Sequence, residues 1–226
     1  MKLRRILSYG IMCIGMPLAA YGGAMLFENK QAAWVSMCIA VLACIPFFLR
    51  FEKKRNNTAR VVIIAVMVAL SVVGRIVFTA LPGFKPVTAL IVLTAMYFGS
   101  EAGFLTGALT AVISNFYFGQ GLWTPIQMFV WGFIGLLAGV FASPLKRSRI
   151  ALLIGALLSG VLFSLLMDVW TVLWADGTFR IARYLTAVTA SGYFTLVYAL
   201  SNAVFLLLLK PPIGAVLDRI RIKFKL

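Results

Sequence analysis

The chain has 226 residues, 62% hydrophobic and 12% charged, against roughly 45–50% and 25% in an ordinary soluble domain, which excludes a water-soluble fold. Its 21 Lys plus Arg against 6 Asp plus Glu give a formal charge of +15. The cations sit in short clusters between apolar runs, with no basic stripe interleaved with aromatics, so nucleic acid is excluded as the partner and a membrane is favoured.

Apolar runs predict eight helices, at residues 6–27, 32–49, 61–81, 87–98, 102–114, 126–141, 150–174 and 184–209. At 1.5 Å per residue, about 20 residues cross a ~30 Å hydrocarbon core, so most qualify outright and the fourth and fifth are short. The first run follows Lys2, Arg4 and Arg5 and exceeds the ~7–15 apolar residues of a signal peptide, so it is read as a crossing. Cys13, Cys38 and Cys44 lie inside these runs, odd in number and without a C-x-x-C pair, and are read as small core residues. The polar stretch 52–60 is the clearest boundary. It separates an N-terminal transmembrane hairpin (1–57) from a six-helix body (58–226) that ends in a basic tail.

Gly99, Ser100, Glu101 and Gly103 interrupt the pattern between the fourth and fifth runs, which predicts a tight turn rather than one long helix. With that turn and cytoplasmic termini, every Lys and Arg falls inside except Lys30, Lys85, Arg180 and Arg183, with Arg75 left within a helix. Fusing the two runs would send Lys146, Arg147 and Arg149 outside.

Three external segments then carry most of the unusual chemistry: LPGFKP (81–86), NFYFGQGLWTP (115–125) and ADGTFRIAR (175–183). Phe84, Lys85, Tyr117, Gln120, Trp123 and Tyr184 lie on or beside them, and single rings there serve equally well as an interfacial aromatic belt or as walls of a ligand site. The amides of Asn115, Gln120 and Gln127 need hydrogen-bond partners near a membrane. Arg75 and Asp168 lie within helices, each ~8–9 Å below the external end. They either pair across two helices or line a cavity open to the outside, with snorkelling of Arg75 to the headgroups as a third reading. Gly103-x-x-x-Gly107 and Gly135-x-x-x-Gly139 are read as ordinary close helix packing.

The absence of His removes imidazole metal sites and the common nucleophile–base pairs, and no G-x-x-x-x-G-K-[ST] phosphate loop occurs. An enzyme is disfavoured further because Glu101 and Asp168 fall on opposite sides of the bilayer. A stand-alone secondary transporter would show an inverted repeat and mid-membrane ion sites, and neither stands out.

From about Ala59 to Leu209 the sequence resembles the substrate-binding S-components of energy-coupling factor (ECF) vitamin transporters. The resemblance lies in Ala65-x-x-x-Ala69 and Arg75, the LPGFKP turn, YFGSEAGFLTGALTAVISNFYFGQG and WTPIQMFVWGFIGLLAG. It implies a six-helix protein of the bacterial cytoplasmic membrane, with no permanent cofactor, that captures a vitamin in an outward pocket. It further implies a transmembrane coupling protein and two ATPases as partners, the latter alone using ATP, and toppling in the bilayer as the release mechanism. Ala65 and Ala69 match the alanine motif that packs against the coupling protein. The pattern looks most like the cobalamin-specific members, with a queuosine precursor, riboflavin and pantothenate as alternatives. The extra hairpin departs from the family core.

Overall fold

The structure is a computed structural model that describes residues 57–121 and 123–224. The expected N-terminal hairpin and the three cysteines lie outside the described residues. Seven helices follow in chain order: α1 (Asn57–Val77), α2 (Val87–Phe98), α3 (Ser100–Phe118), α4 (Trp123–Val140), α5 (Ala142–Arg147), α6 (Arg149–Asp176) and α7 (Ile181–Lys223). Six match the runs of the body, and α5 is a short corner between α4 and α6. Four helices (α1, α4, α6 and α7) are long and apolar enough to cross a membrane.

The shortest of the six, α2, is the hub. Residues 87–96 are all buried, and the helix touches α1, α3, α4 and α7. A 12-residue helix is only ~18 Å long, too short to span lipid, but one enclosed by protein has no lipid to span. Around it, α1 shows a clean two-faced pattern: Ile63, Ile64, Met67, Val68 and Ser71 are buried, while Val62, Ala65, Val66, Ala69, Leu70 and Val73 face outward.

The predicted tight turn falls at Gly99, whose φ of +92° belongs to the region that favours glycine and whose N–H still donates to the Ala95 carbonyl. It reverses the chain so that α3 returns along α2 and presses against α4. A Cβ on Gly103 would lie 2.7 Å from the Gly135 carbonyl oxygen, and one on Gly135 would overlap the Gly103 carbonyl. A Cβ on Gly107 would likewise overlap the Trp131 carbonyl. The two glycine motifs therefore set one interface, α3 on α4, where backbones meet without side chains between them.

The last helix departs from the sequence expectation. Its apolar run ends near Leu209, yet the helix continues through Pro211 and Pro212 to Lys223. Proline removes the N–H donors to the carbonyls four residues back, which normally breaks a helix. Here tertiary contacts hold the segment on course. Lys210 Nζ donates to the Leu145 and Lys146 carbonyls at 3.1 and 3.0 Å, Gly214 lets α7 lie against the Tyr97 ring, and Leu217 is buried.

Candidate functional site

Where α1 ends and α2 begins, loop 81–86 folds back over the bundle. Ser201 of α7 stitches it down, its Oγ accepting from the Lys85 N–H at 2.8 Å and donating to the Lys85 carbonyl at 3.1 Å. Phe84 drops into a cluster with Phe78 and Phe205, both ring centroids of the Phe205 contacts at 5.0 Å. Anchored this way, the loop roofs a cavity of about 80 Å³ lined by Arg75, Lys85, Gln127, Trp131, Tyr198 and Asn202, with Gly83, Val87, Thr88 and Phe163 completing it.

Polar groups form the floor. The Arg75 guanidinium donates to Ser114 Oγ and, at 2.8 Å, to Asn115 Oδ1. Asn115 is 1% exposed, so both halves of its amide must be satisfied within the protein. Its Nδ2 donates to Gln127 Oε1 at 2.8 Å and to Thr124 Oγ1 at 2.9 Å. Thr124 Oγ1 in turn donates to Gln120 Oε1, and Gln120 Nε2 to the Val112 carbonyl, both at 2.9 Å. The three amides singled out from the sequence thus belong to one network running from Arg75 to the α3–α4 loop. Asn202 opens a second polar edge, its Nδ2 donating to Ser159 Oγ at 3.0 Å.

Aromatic rings form the walls. Trp131 stacks on Phe163 with centroids 5.5 Å apart, and Phe163 meets Tyr198 edge-on at 5.2 Å. The Phe118 ring is shared by two cations, Arg75 Cζ at 4.4 Å and Lys85 Nζ at 5.2 Å. Burial, and then the neighbouring charge of Arg75, holds the Lys85 ammonium below the ordinary lysine value.

Of the residues expected to bind substrate, Arg75, Lys85 and Gln127 line the cavity, and Asn115 sits directly behind Arg75 and Gln127. Gln120 reaches the cavity only through Thr124. Phe84 anchors the roof, while Tyr117 (64% exposed) and Trp123 (46%) face outward. Asp168 and Tyr184 lie on the α6–α7 seam, where Ser191 Oγ donates to Asp168 Oδ2 at 2.5 Å and the Tyr184 hydroxyl donates to the Leu165 carbonyl at 3.4 Å. Arg75 and Asp168 do not pair: the side-chain partners of the arginine are Ser114 and Asn115. Trp131, Phe163, Tyr198, Thr88 and Asn202 were not singled out by the sequence reading, and of these only Asn202, an amide inside an apolar run, carried a signal.

A polar pocket at one end of a six-helix apolar bundle matches the architecture that the sequence resemblance implies, and a family model described as ECF-type riboflavin transporter, S component, matches residues 55–219. The chain belongs to that family. It is therefore a multi-pass membrane protein and the substrate-specific component of an ECF-type transporter, a transport component rather than an enzyme. The S-component family is named for riboflavin, one of the alternatives raised by the sequence, rather than for cobalamin. No curated protein and no solved structure matches the chain.

Proposed function

We propose that this S-component captures a flat, hydrogen-bonding heteroaromatic vitamin, riboflavin being the first candidate, in the cavity between loop 81–86, α4, α6 and α7. The observation that carries the reading is the pairing of the Trp131–Phe163–Tyr198 walls with the Arg75–Asn115–Gln127 floor. Aromatic faces accept a planar ring, while amides and a guanidinium read its carbonyl and imide edge.

At about 80 Å³ the cavity has room for a few water molecules and not for a vitamin, so capture requires a wall to give way. The end of α3 covers the two cationic members of the lining, Arg75 and Lys85. Phe118 rests on the two cations and, edge-on, on Tyr117 at 5.0 Å, and Phe116 and Tyr117 beside it are exposed. A ligand ring that competes for Arg75 and Lys85 would release Phe118 and open the site.

Delivery follows from the family. The outward face of α1, where Ala65 and Ala69 stand among Val62, Val66 and Leu70, is the surface that would meet a transmembrane coupling protein whose two ATPases supply the energy. The basic residues Lys146, Arg147, Arg149, Lys210, Arg219, Arg221 and Lys223 collect at the end remote from the cavity, which supports a cytoplasmic setting for that end and an outward-facing cavity.

The test is thermal unfolding of the detergent-purified chain with riboflavin, cobalamin, pantothenate and a queuosine precursor, since a ligand that binds the folded state raises its apparent stability. A shift with riboflavin alone is expected. A shift with cobalamin alone would replace the flavin reading, and no shift with any of the four would leave the cavity without its proposed ligand class.

A further inference from the structure

The opposite end of the bundle holds a second and larger cavity, about 670 Å³, between the C-terminal end of α2, the α5–α6 corner and the second half of α7. Four cations line it, Lys146, Arg147, Arg149 and Lys210, against one carboxylate, Asp218. That carboxylate is already engaged by Arg221 at 3.3 Å. Lys210 is engaged as well, closing the C-terminal carbonyls of α5. Lys146, Arg147 and Arg149 have no carboxylate within ion-pair distance among the described residues.

At the start of α6 the local field adds to this excess. Arg149 opens α6, a 28-residue helix capped by Ser148 with no acidic residue in its first turn, so the positive end of the helix dipole and the arginine point to the same corner. The Lys146 ammonium lies 4.6 Å from the Tyr97 ring centroid. Burial, then the charge of Arg221, holds it below the ordinary lysine value, with Asp218 acting in the other direction. Like charges concentrated around an open volume are relieved most effectively by a multivalent oxyanion.

The remaining lining decides which oxyanion. Leu152 and Leu207 supply an apolar side to the cavity, and Leu207 is at the same time 43% exposed on the outer flank of α7 next to Leu208, 64% exposed. The basic chamber therefore opens onto the surface that a membrane-spanning helix presents to lipid chains. We propose that this cavity binds the phosphate of an anionic phospholipid headgroup, held by Lys146, Arg147 and Arg149, with the acyl chains lying along α7 beside Leu207 and Leu208.

The full chain, purified in a neutral detergent, is unfolded thermally with added phosphatidylglycerol, phosphatidylcholine, inorganic phosphate, or sodium chloride at matched ionic strength. Phosphatidylglycerol is expected to raise the midpoint by several degrees and the other three to leave it in place. Lys146→Gln combined with Arg149→Gln should abolish most of that shift while keeping the midpoint seen in phosphatidylcholine. Arg219→Gln, outside the cavity, should retain the shift. If the double variant does not fold, the two single variants are each expected to lose part of it. An undiminished shift in the folded variants, or an equal shift with phosphatidylcholine or salt, overturns the proposal. A shift with inorganic phosphate but none with phosphatidylglycerol overturns the lipid assignment in favour of a soluble phosphate compound.

Discussion

Asn115 is the residue on which the site depends most. It receives the Arg75 guanidinium on one side and donates to Gln127 and Thr124 on the other, with almost no access to solvent. Asn115→Leu conserves approximate volume and removes three hydrogen bonds at once, leaving Gln127 Oε1 without its donor while Arg75 keeps Ser114 and Thr124 keeps Gln120, so a loss of about 1–3 kcal/mol is expected, seen as a lower unfolding midpoint before any ligand is added. Lys85 gives a second prediction, in pH. Because its folded-state value is depressed, the unfolded chain binds more protons between that value and the ordinary one, and stability must rise with pH over that alkaline window. Subtracting the profile of Lys85→Met from wild type between neutral pH and the lysine range should isolate the rise; a flat difference would contradict the burial of Lys85. Arg75, Lys85, Asn115 and Gln127 were legible in the sequence because polar groups next to apolar runs demand partners. Trp131, Phe163 and Tyr198 were not, since an aromatic ring in an apolar run reads the same whether it faces lipid, core or ligand. The depth of Asp168 matched that of Arg75, but its hydroxyl partner Ser191 comes from α7 and was invisible at that distance in sequence.

At the scale of elements, the α3–α4 contact is the most sensitive to a single atom group. Gly135→Leu would drive a side chain into the Gly103 backbone, and a loss of several kcal/mol or outright failure to fold is expected. Gly192, on α7 with open space around its Cβ position, is the matched control, and Gly192→Ala should raise stability by about 0.4–1 kcal/mol. Unfolding midpoints of the two variants in the same detergent check both signs. The six body helices and the turn at Gly99 were readable from apolar periodicity and its interruption. The helical course of residues 210–223 was not, because Pro211 and Pro212 signal a stop locally. What overrides them is long-range, the Lys210 clamp on α5 and the fit of Gly214 against Tyr97.

At the scale of the described molecule, two ends and one flank stand out. A compact polar pocket lies at one end and the basic cavity at the other, while α1 exposes Ala65 and Ala69 among valines and a leucine along the side. If that flank meets the coupling protein, bulky substitutions there should separate capture from delivery. Ala65→Trp with Ala69→Trp is expected to leave vitamin binding and unfolding midpoint near wild type, since both positions point away from the core, and to abolish co-purification with the coupling subunit and its ATPases. Loss of vitamin binding in that variant would instead make the alanines part of the folded core. Flavin capture by the isolated chain is read by an equilibrium titration of riboflavin into the purified protein, followed by quenching of flavin fluorescence. Saturable one-to-one quenching by stacking against Trp131 is predicted, weakened at least about tenfold in Arg75→Met through loss of its charged hydrogen bonds. Absence of quenching by a folded wild-type protein, or full affinity in the Arg75 variant, would contradict the account.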